Sequence, residues 1–170
     1  MGTRLMAQWQ DADSTLLRDI QNMAGQLGER NITQTLGRLK NFTEVKNLHD
    51  RLVDRFNQAN RRSAALELPY GAFPAPPLQG TDHIIPITNA SALIDEGDKQ
   101  SHCIASYRTR ILDGRYYVYC ILYPERATLG ISMQGDSRPR IDQLKLKNNQ
   151  TASQQTTNYV SNWMNNAAST

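Results

Sequence analysis

The side chains with the most chemistry in this chain crowd into residues 94–114, IDEGDKQSHCIASYRTRILDG. An imidazole, a thiol, a phenol and two guanidinium groups occur there as His102, Cys103, Tyr107, Arg108 and Arg110. Neighbours on a helix point about 100° apart, so His102 and Cys103 do not bond readily to each other. At a helix N-terminus, however, unpaired amides would favour a Cys103 thiolate. Covalent chemistry would then need a base from elsewhere, with His83 as the distant candidate. The plainer alternative makes Cys103 a small buried hydrophobe and His102 a capping or hydrogen-bonding residue.

Two further chemistries fit the residue types. Metal-free cleavage of a phosphodiester needs a base, an acid and a cationic clamp. His102, Tyr107, Gln143 and Asn149, together with Arg108, Arg110 and Arg126, are residues of that kind. Binding of single-stranded nucleic acid needs aromatic faces beside a basic groove. Tyrosines 116, 117, 119 and 123 interleave with Arg108, Arg110, Arg115 and Arg126, although a tyrosine-rich strand also reads simply as core. The soft donors His83, His102, Cys103 and Cys120 match no usual zinc spacing, so neither a metal nor a cofactor is assigned.

Composition bounds these readings. The chain of 170 residues has a formal net charge of +3 and is 39% hydrophobic, with a mean hydropathy of -0.60. No run approaches the roughly 20 apolar residues of a membrane-spanning helix. Two cysteines make no disulfide framework, and a reducing cytoplasm is the expected setting. Fourteen of the 19 bases are arginine, and residues 101–147 hold eight bases against four acids. Arginine suits bidentate contact with phosphate or carboxylate.

The elements that must position these residues follow from periodicity. Leu16, Leu17, Ile20, Met23, Ala24 and Leu27 recur at helical spacing behind a cap at Asp13-Ser14, with Gly28 as a stop. Ile32, Leu36 and Leu39 mark a second helix. A third, capped by Thr43, carries Val45, Leu48, Leu52, Val53, Phe56 and Ala59. Residues 68–80, with four prolines and two glycines, read as an extended connector. The expected division is therefore a helical segment over 1–66, a linker over 67–80 and a domain over 81–170.

That domain should begin with a short edge strand at 83–87, followed by a helical turn capped near Asn89 and closed by Gly97. A helix over 101–112 then stops at Gly114. Residues 115–123, apolar on both faces, form a central strand. Strands at 127–133 and 141–147 follow, with a turn at Gly135-Asp136-Ser137 between them, and a final helix carries Tyr159, Val160, Trp163 and Met164. The result is an α+β fold, with an N-terminal helical segment followed by a small, mainly antiparallel sheet with packed helices.

Glu96-Gly97, His102-Cys103-Ile104, Tyr107, Gly114 before a strand, Arg126, Thr128, Gln143 and Asn149 occur in this order and spacing. In this the chain resembles the PcfJ-like family of conjugative plasmids and other mobile bacterial elements. The resemblance runs over about 84–165 and leaves out the helical third. It departs from the family pattern at Ala105-Ser106, where glycines are common, and at Gly130, near which an acid is common. Leu146 also stands where a glycine is common. Membership implies a mobile-element context, and it singles out His102, Cys103, Tyr107, Arg126, Gln143 and Asn149 as polar positions expected to gather at one end of the sheet. Three functions stay open: an accessory protein contacting nucleic acid or a nucleoprotein complex; a metal-independent enzyme acting on nucleic acid through His102 and Cys103; and a protein adaptor docking by its N-terminal helices.

Overall fold

The computed structural model describes residues 11–64, 72–133 and 138–167. Helices α1 (Asp11–Gln26), α2 (Ile32–Arg38) and α3 (Phe42–Ala64) come first. Strand β1 (Ile84–Pro86) leads into α4 (Ala90–Gln100), a 3-10 turn (Ile104–Tyr107) and α5 (Arg108–Leu112). Strands β2 (Tyr116–Ile121), β3 (Ala127–Met133) and β4 (Pro139–Lys145) follow, then a second 3-10 turn (Lys147–Asn149) and α6 (Gln154–Ala167). The sheet runs β1-β2-β3-β4 and every pairing is antiparallel. As expected of an α+β chain, β1 with Pro86 takes an edge and β2 the interior. The expected cap at Asp13 and the turn at Gly135-Asp136-Ser137 involve residues whose side chains or backbone lie outside the described set.

The alternation of β2 and β3 builds two unlike faces. Tyr119, Ile121, Ala127, Leu129 and Ile131 meet Val160, Trp163 and Met164 of α6 in one apolar layer. On the opposite face Tyr116 and Val118 join Ile20, Met23, Val45, Leu52, Val53 and Phe56 of the N-terminal helices. The helical stripe is thus spent on this chain's own core, where each large apolar side chain contributes about 1.5–3 kcal/mol. Thr128, Gly130 and Ser132 of β3 lie on the same face and are small or polar, which leaves room beneath the helices for polar groups.

Three local expectations are corrected. Asn41, not Thr43, starts α3: its side-chain oxygen accepts from the Glu44 amide at 2.9 Å, and Glu44 accepts from the Lys40 amide at 2.6 Å. The Asn41 oxygen thereby satisfies one of the first amides of the helix, and Glu44 reaches back to the residue before the cap. Gly97 does not close α4; the helix runs on to Gln100, and Ser101 turns it off with a left-handed φ of 51°. That residue cannot begin another helix, so the expected helix over 101–112 splits into a bend, the 3-10 turn and α5. The stop at Gly114 is as expected, at a φ of +67°.

The last strand is shifted to Pro139–Lys145, and its register slips between Gly130 and Ile131. Asp142 is the extra residue, and it meets the Tyr116 hydroxyl at 3.1 Å. Tyr116 in turn closes over Gly130, where an added Cβ would lie 1.9 Å from the hydroxyl oxygen. The Tyr116 ring is wholly buried between Tyr107 and Arg110 and has nowhere to move. Gly130→Ala is therefore expected to lower stability by about 2 kcal/mol, as overpacking does. Urea denaturation should show an earlier midpoint with an unchanged slope; an unshifted midpoint would mean that the ring yields.

Candidate functional site

Helices α1 and α3 and the loop after α4 meet over the small residues of β3, and the polar side chains collect there. The loop is tied from both sides. From α3, the Asn57 amide donates to the carbonyls of Gly97 and His102 at 3.1 and 3.3 Å. From α1, Asn22 and Gln26 donate to the Ser106 carbonyl at 3.2 and 2.8 Å. These bonds set His102, Cys103 and Tyr107 facing inward.

His102 begins one relay. Its Nε2 lies 2.9 Å from the Thr128 hydroxyl, whose proton goes to the Glu96 carboxylate, and Arg126 closes the line on the same carboxylate. Because Thr128 donates onward, His102 Nε2 must carry the proton it shares with Thr128. Nδ1 is then the bare nitrogen, and it has no partner among the described residues. Burial lowers the imidazole pKa to about 4, against the opposing pull of Glu96. His102 is neutral in the neutral pH range.

Tyr107 begins the other. Its hydroxyl donates to Asp19 Oδ1 at 2.5 Å and accepts from Gln143 at 2.5 Å and from Arg18 at 3.2 Å. Asp19 also faces Cys103 within hydrogen-bonding reach. Burial, followed by the Asp19 charge, pushes the Cys103 thiol and the Tyr107 phenol far up. Burial likewise raises Asp19, with the Tyr107 bond opposing it. Of the two readings of Cys103, the geometry favours the small buried hydrophobe over the thiolate: the residue sits before a 3-10 turn, is 2% exposed and faces a carboxylate. The imidazole that approaches it is also not His83, which packs on Tyr123, but His49 of α3. Asn149 lies 3.4 Å from His49 Nε2, and His49 Nδ1 lies 3.1 Å from Asp50.

His102, Cys103, Gln143 and Asn149 thus border one small cavity of about 10 Å³, and Tyr107 adjoins it through Gln143. The residues that sequence reasoning missed are Arg18, Asp19, His49 and Asp142, while Glu96 was read only as a motif position. Asp19 and His49 had left a signal. Asp19 precedes buried Met23 by one turn, and His49 lies one turn from both Val45 and Val53, so both are polar groups on an apolar stripe.

Outside this cluster lies an open groove of about 420 Å³ between α1 and α5, lined by Arg18, Gln21, Asn22, Gln26, Tyr107 and Arg110. The Arg110 guanidinium stacks 5.3 Å over Tyr107 and 4.7 Å over Tyr116. Arg115 opens β2 beside Tyr116, which pairs with Ser132, which pairs with Arg140. Arg108 begins α5, while Arg110 and Arg115 therefore share one end of the sheet with Arg18 and Arg140. Arg126 does not; it enters β3 at the opposite end and turns inward to Glu96. Another cavity, of about 520 Å³, is lined by Glu44, Asp50 and Asp54 together with Arg51, and would repel a polyanion. No helix among the described residues is long and apolar enough to cross a membrane.

A family model described as PcfJ-like protein matches residues 16–160. The match reaches through α1, α2 and α3, and so extends the likeness into the helical third that the motifs left out. No curated protein and no solved structure matches the chain.

Proposed function

Since the chain belongs to the PcfJ-like family, we propose that it is a mobile-element accessory protein that contacts nucleic acid or a nucleoprotein complex, using the arginine-rich end of its sheet. The observation carrying this reading is the groove in which Arg18 and Arg110 flank the Tyr107 ring. Guanidinium groups seated on buried tyrosine rings are held in place at the surface, where they can clamp phosphate. Arg115 and Arg140 extend the same basic end, moderated by Asp113, which pairs with Arg115, and Asp142, which pairs with Arg18 at 3.0 Å. The buried cluster behind the groove serves to hold Tyr107, through Asp19 and Gln143, against the sheet.

The alternatives draw less support. Enzymatic use of His102 and Cys103 meets two buried, uncharged side chains set behind the groove. An adaptor docking through the apolar stripe of its helices would have to take that stripe out of the core.

The test is fluorescence anisotropy of the full chain with a single-stranded oligonucleotide over a range of salt. The log-log salt slope is expected to flatten by about 1.4 when Arg110 and Arg115 are both changed to Ala, the loss of two phosphate contacts. Binding that ignores salt, or a slope unmoved by the double change, removes the reading.

A further inference from the structure

Among the described residues, Asp19, His49 and Cys103 bring a carboxylate oxygen, an imidazole nitrogen and a sulfur within 4.8 Å of one another. They come from three different elements, α1, α3 and the loop after α4, and are 4, 1 and 2% exposed. These are the donor types of zinc sites, and three protein donors with an open fourth position is the usual plan where the ion keeps a water. Donors around a tetrahedral ion stand roughly 3.5 Å apart, given the bond lengths to zinc, so small side-chain rotations would close the group on one.

Two of the donors, His49 and Asp19, also have an outside partner that aims them. Asp50 accepts from the outer nitrogen of His49, leaving Nε2 as the inward lone pair, with the Asn149 amide 3.4 Å from it. A carboxylate behind a ligating imidazole is the common supporting arrangement. Tyr107 holds one oxygen of Asp19 at 2.5 Å. The cavity bordered by Cys103, Gln143 and Asn149, about 10 Å³, has room for about one water beside the sulfur.

We propose that Asp19, His49 and Cys103 bind one divalent transition ion of the zinc type through a carboxylate oxygen, Nε2 and a thiolate. As the sulfur–metal bond forms, the thiol proton passes to bulk water. The ion pins α1 and α3 to the loop that carries His102 and Tyr107. The proposal rests on these three donors and not on nucleic-acid binding by the arginine groove, with which the site shares Tyr107.

The test uses the full chain stripped with a chelator and titrated with cobalt(II), then zinc(II). One cobalt per chain is expected, with a near-ultraviolet thiolate-to-metal band that zinc abolishes. The chain has two cysteines, Cys103 and Cys120, so Cys120→Ser decides which one ligates: the band should survive that change. It should vanish in Cys103→Ser, while Tyr107→Phe should weaken uptake about 10-fold, as loss of a supporting bond does. If the wild-type chain takes up no cobalt, or the band disappears with Cys120, the site does not exist, whatever Cys103→Ser does to folding.

Discussion

Replacing Arg126 with Met is expected to destabilise the protein by about 3 kcal/mol, the low end of the loss seen when one partner is stripped from a buried ion pair. The low end applies because Glu96 is buried while the Arg126 side chain is 35% exposed. Glu96 lies on α4 at 4% exposure, and its carboxylate is met by the Arg126 guanidinium and the Thr128 hydroxyl. Without Arg126 the carboxylate keeps one neutral donor and remains out of water. Arg126 also donates to the Ala127 carbonyl at 2.7 Å, so the entry to β3 loosens as well. For a chain of this length the melting temperature should fall by roughly 10 °C. The double variant Glu96→Gln with Arg126→Met removes both charges and should recover much of the loss, because neutral groups of similar shape cost little to bury together. A single variant within about 1 kcal/mol of wild type would show that Glu96 reaches water, since exposed pairs are worth no more than that. In the oligonucleotide assay the salt slope of Arg126→Met should not change, which separates this arginine from Arg110 and Arg115.

The second large effect is one of pH. His102 has its pKa lowered from 6.5 to about 4, chiefly by burial. The unfolded chain therefore binds a proton that the folded chain refuses over this interval. The stabilisation is whole above 6.5 and drains away as the pH falls through 6.5 towards 4. At about pH 5 the loss should be about 2 kcal/mol, from 1.36 kcal/mol for each unit of difference. The groups facing His102 are Thr128 and Glu96, with Arg126 behind them and His49 further off. Asp19, whose carboxyl is raised, acts with the opposite sign, gaining stability as it protonates. The measurement is therefore a difference: urea unfolding of wild type and His102→Gln in chelator, across the acid range. The glutamine amide can replace the bond to Thr128 and does not titrate, so its stability should fall less steeply. Parallel curves would mean that His102 takes up its proton without leaving the fold.

Much of the architecture could be read from short-range pattern. Helical spacing at Leu16 to Leu27 and Val45 to Phe56, alternation in the strands and the glycine stop at Gly114 are set by neighbours within a few residues. So were the edge position of β1, which Pro86 imposes, and the central place of a strand apolar on both sides. His102, Cys103, Tyr107, Gln143 and Asn149 were legible as a set of motif positions, and these residues do converge beneath the helices.

Their roles were not legible, because those depend on partners far along the chain. Tyr107 meets Asp19 across 88 residues and Asn149 meets His49 across 100. Nothing local distinguishes Asp19 from any other acid on a helix until α1 is laid on the loop after α4. The charge state of Cys103 shows the same limit. A helix N-terminus would have favoured a thiolate, but the left-handed Ser101 ended that helix early, and burial beside Asp19 kept the proton on sulfur. The arginines divided for a similar reason: one strand's length separates Arg115 from Arg126, at opposite ends of the sheet. Sequence alone determined most of the helix and strand segments and where the reactive side-chain types lie along the chain. The tertiary structure alone decided which of those side chains face one another and which keep their charge, because desolvation and long-range pairing exist only once the layers are packed.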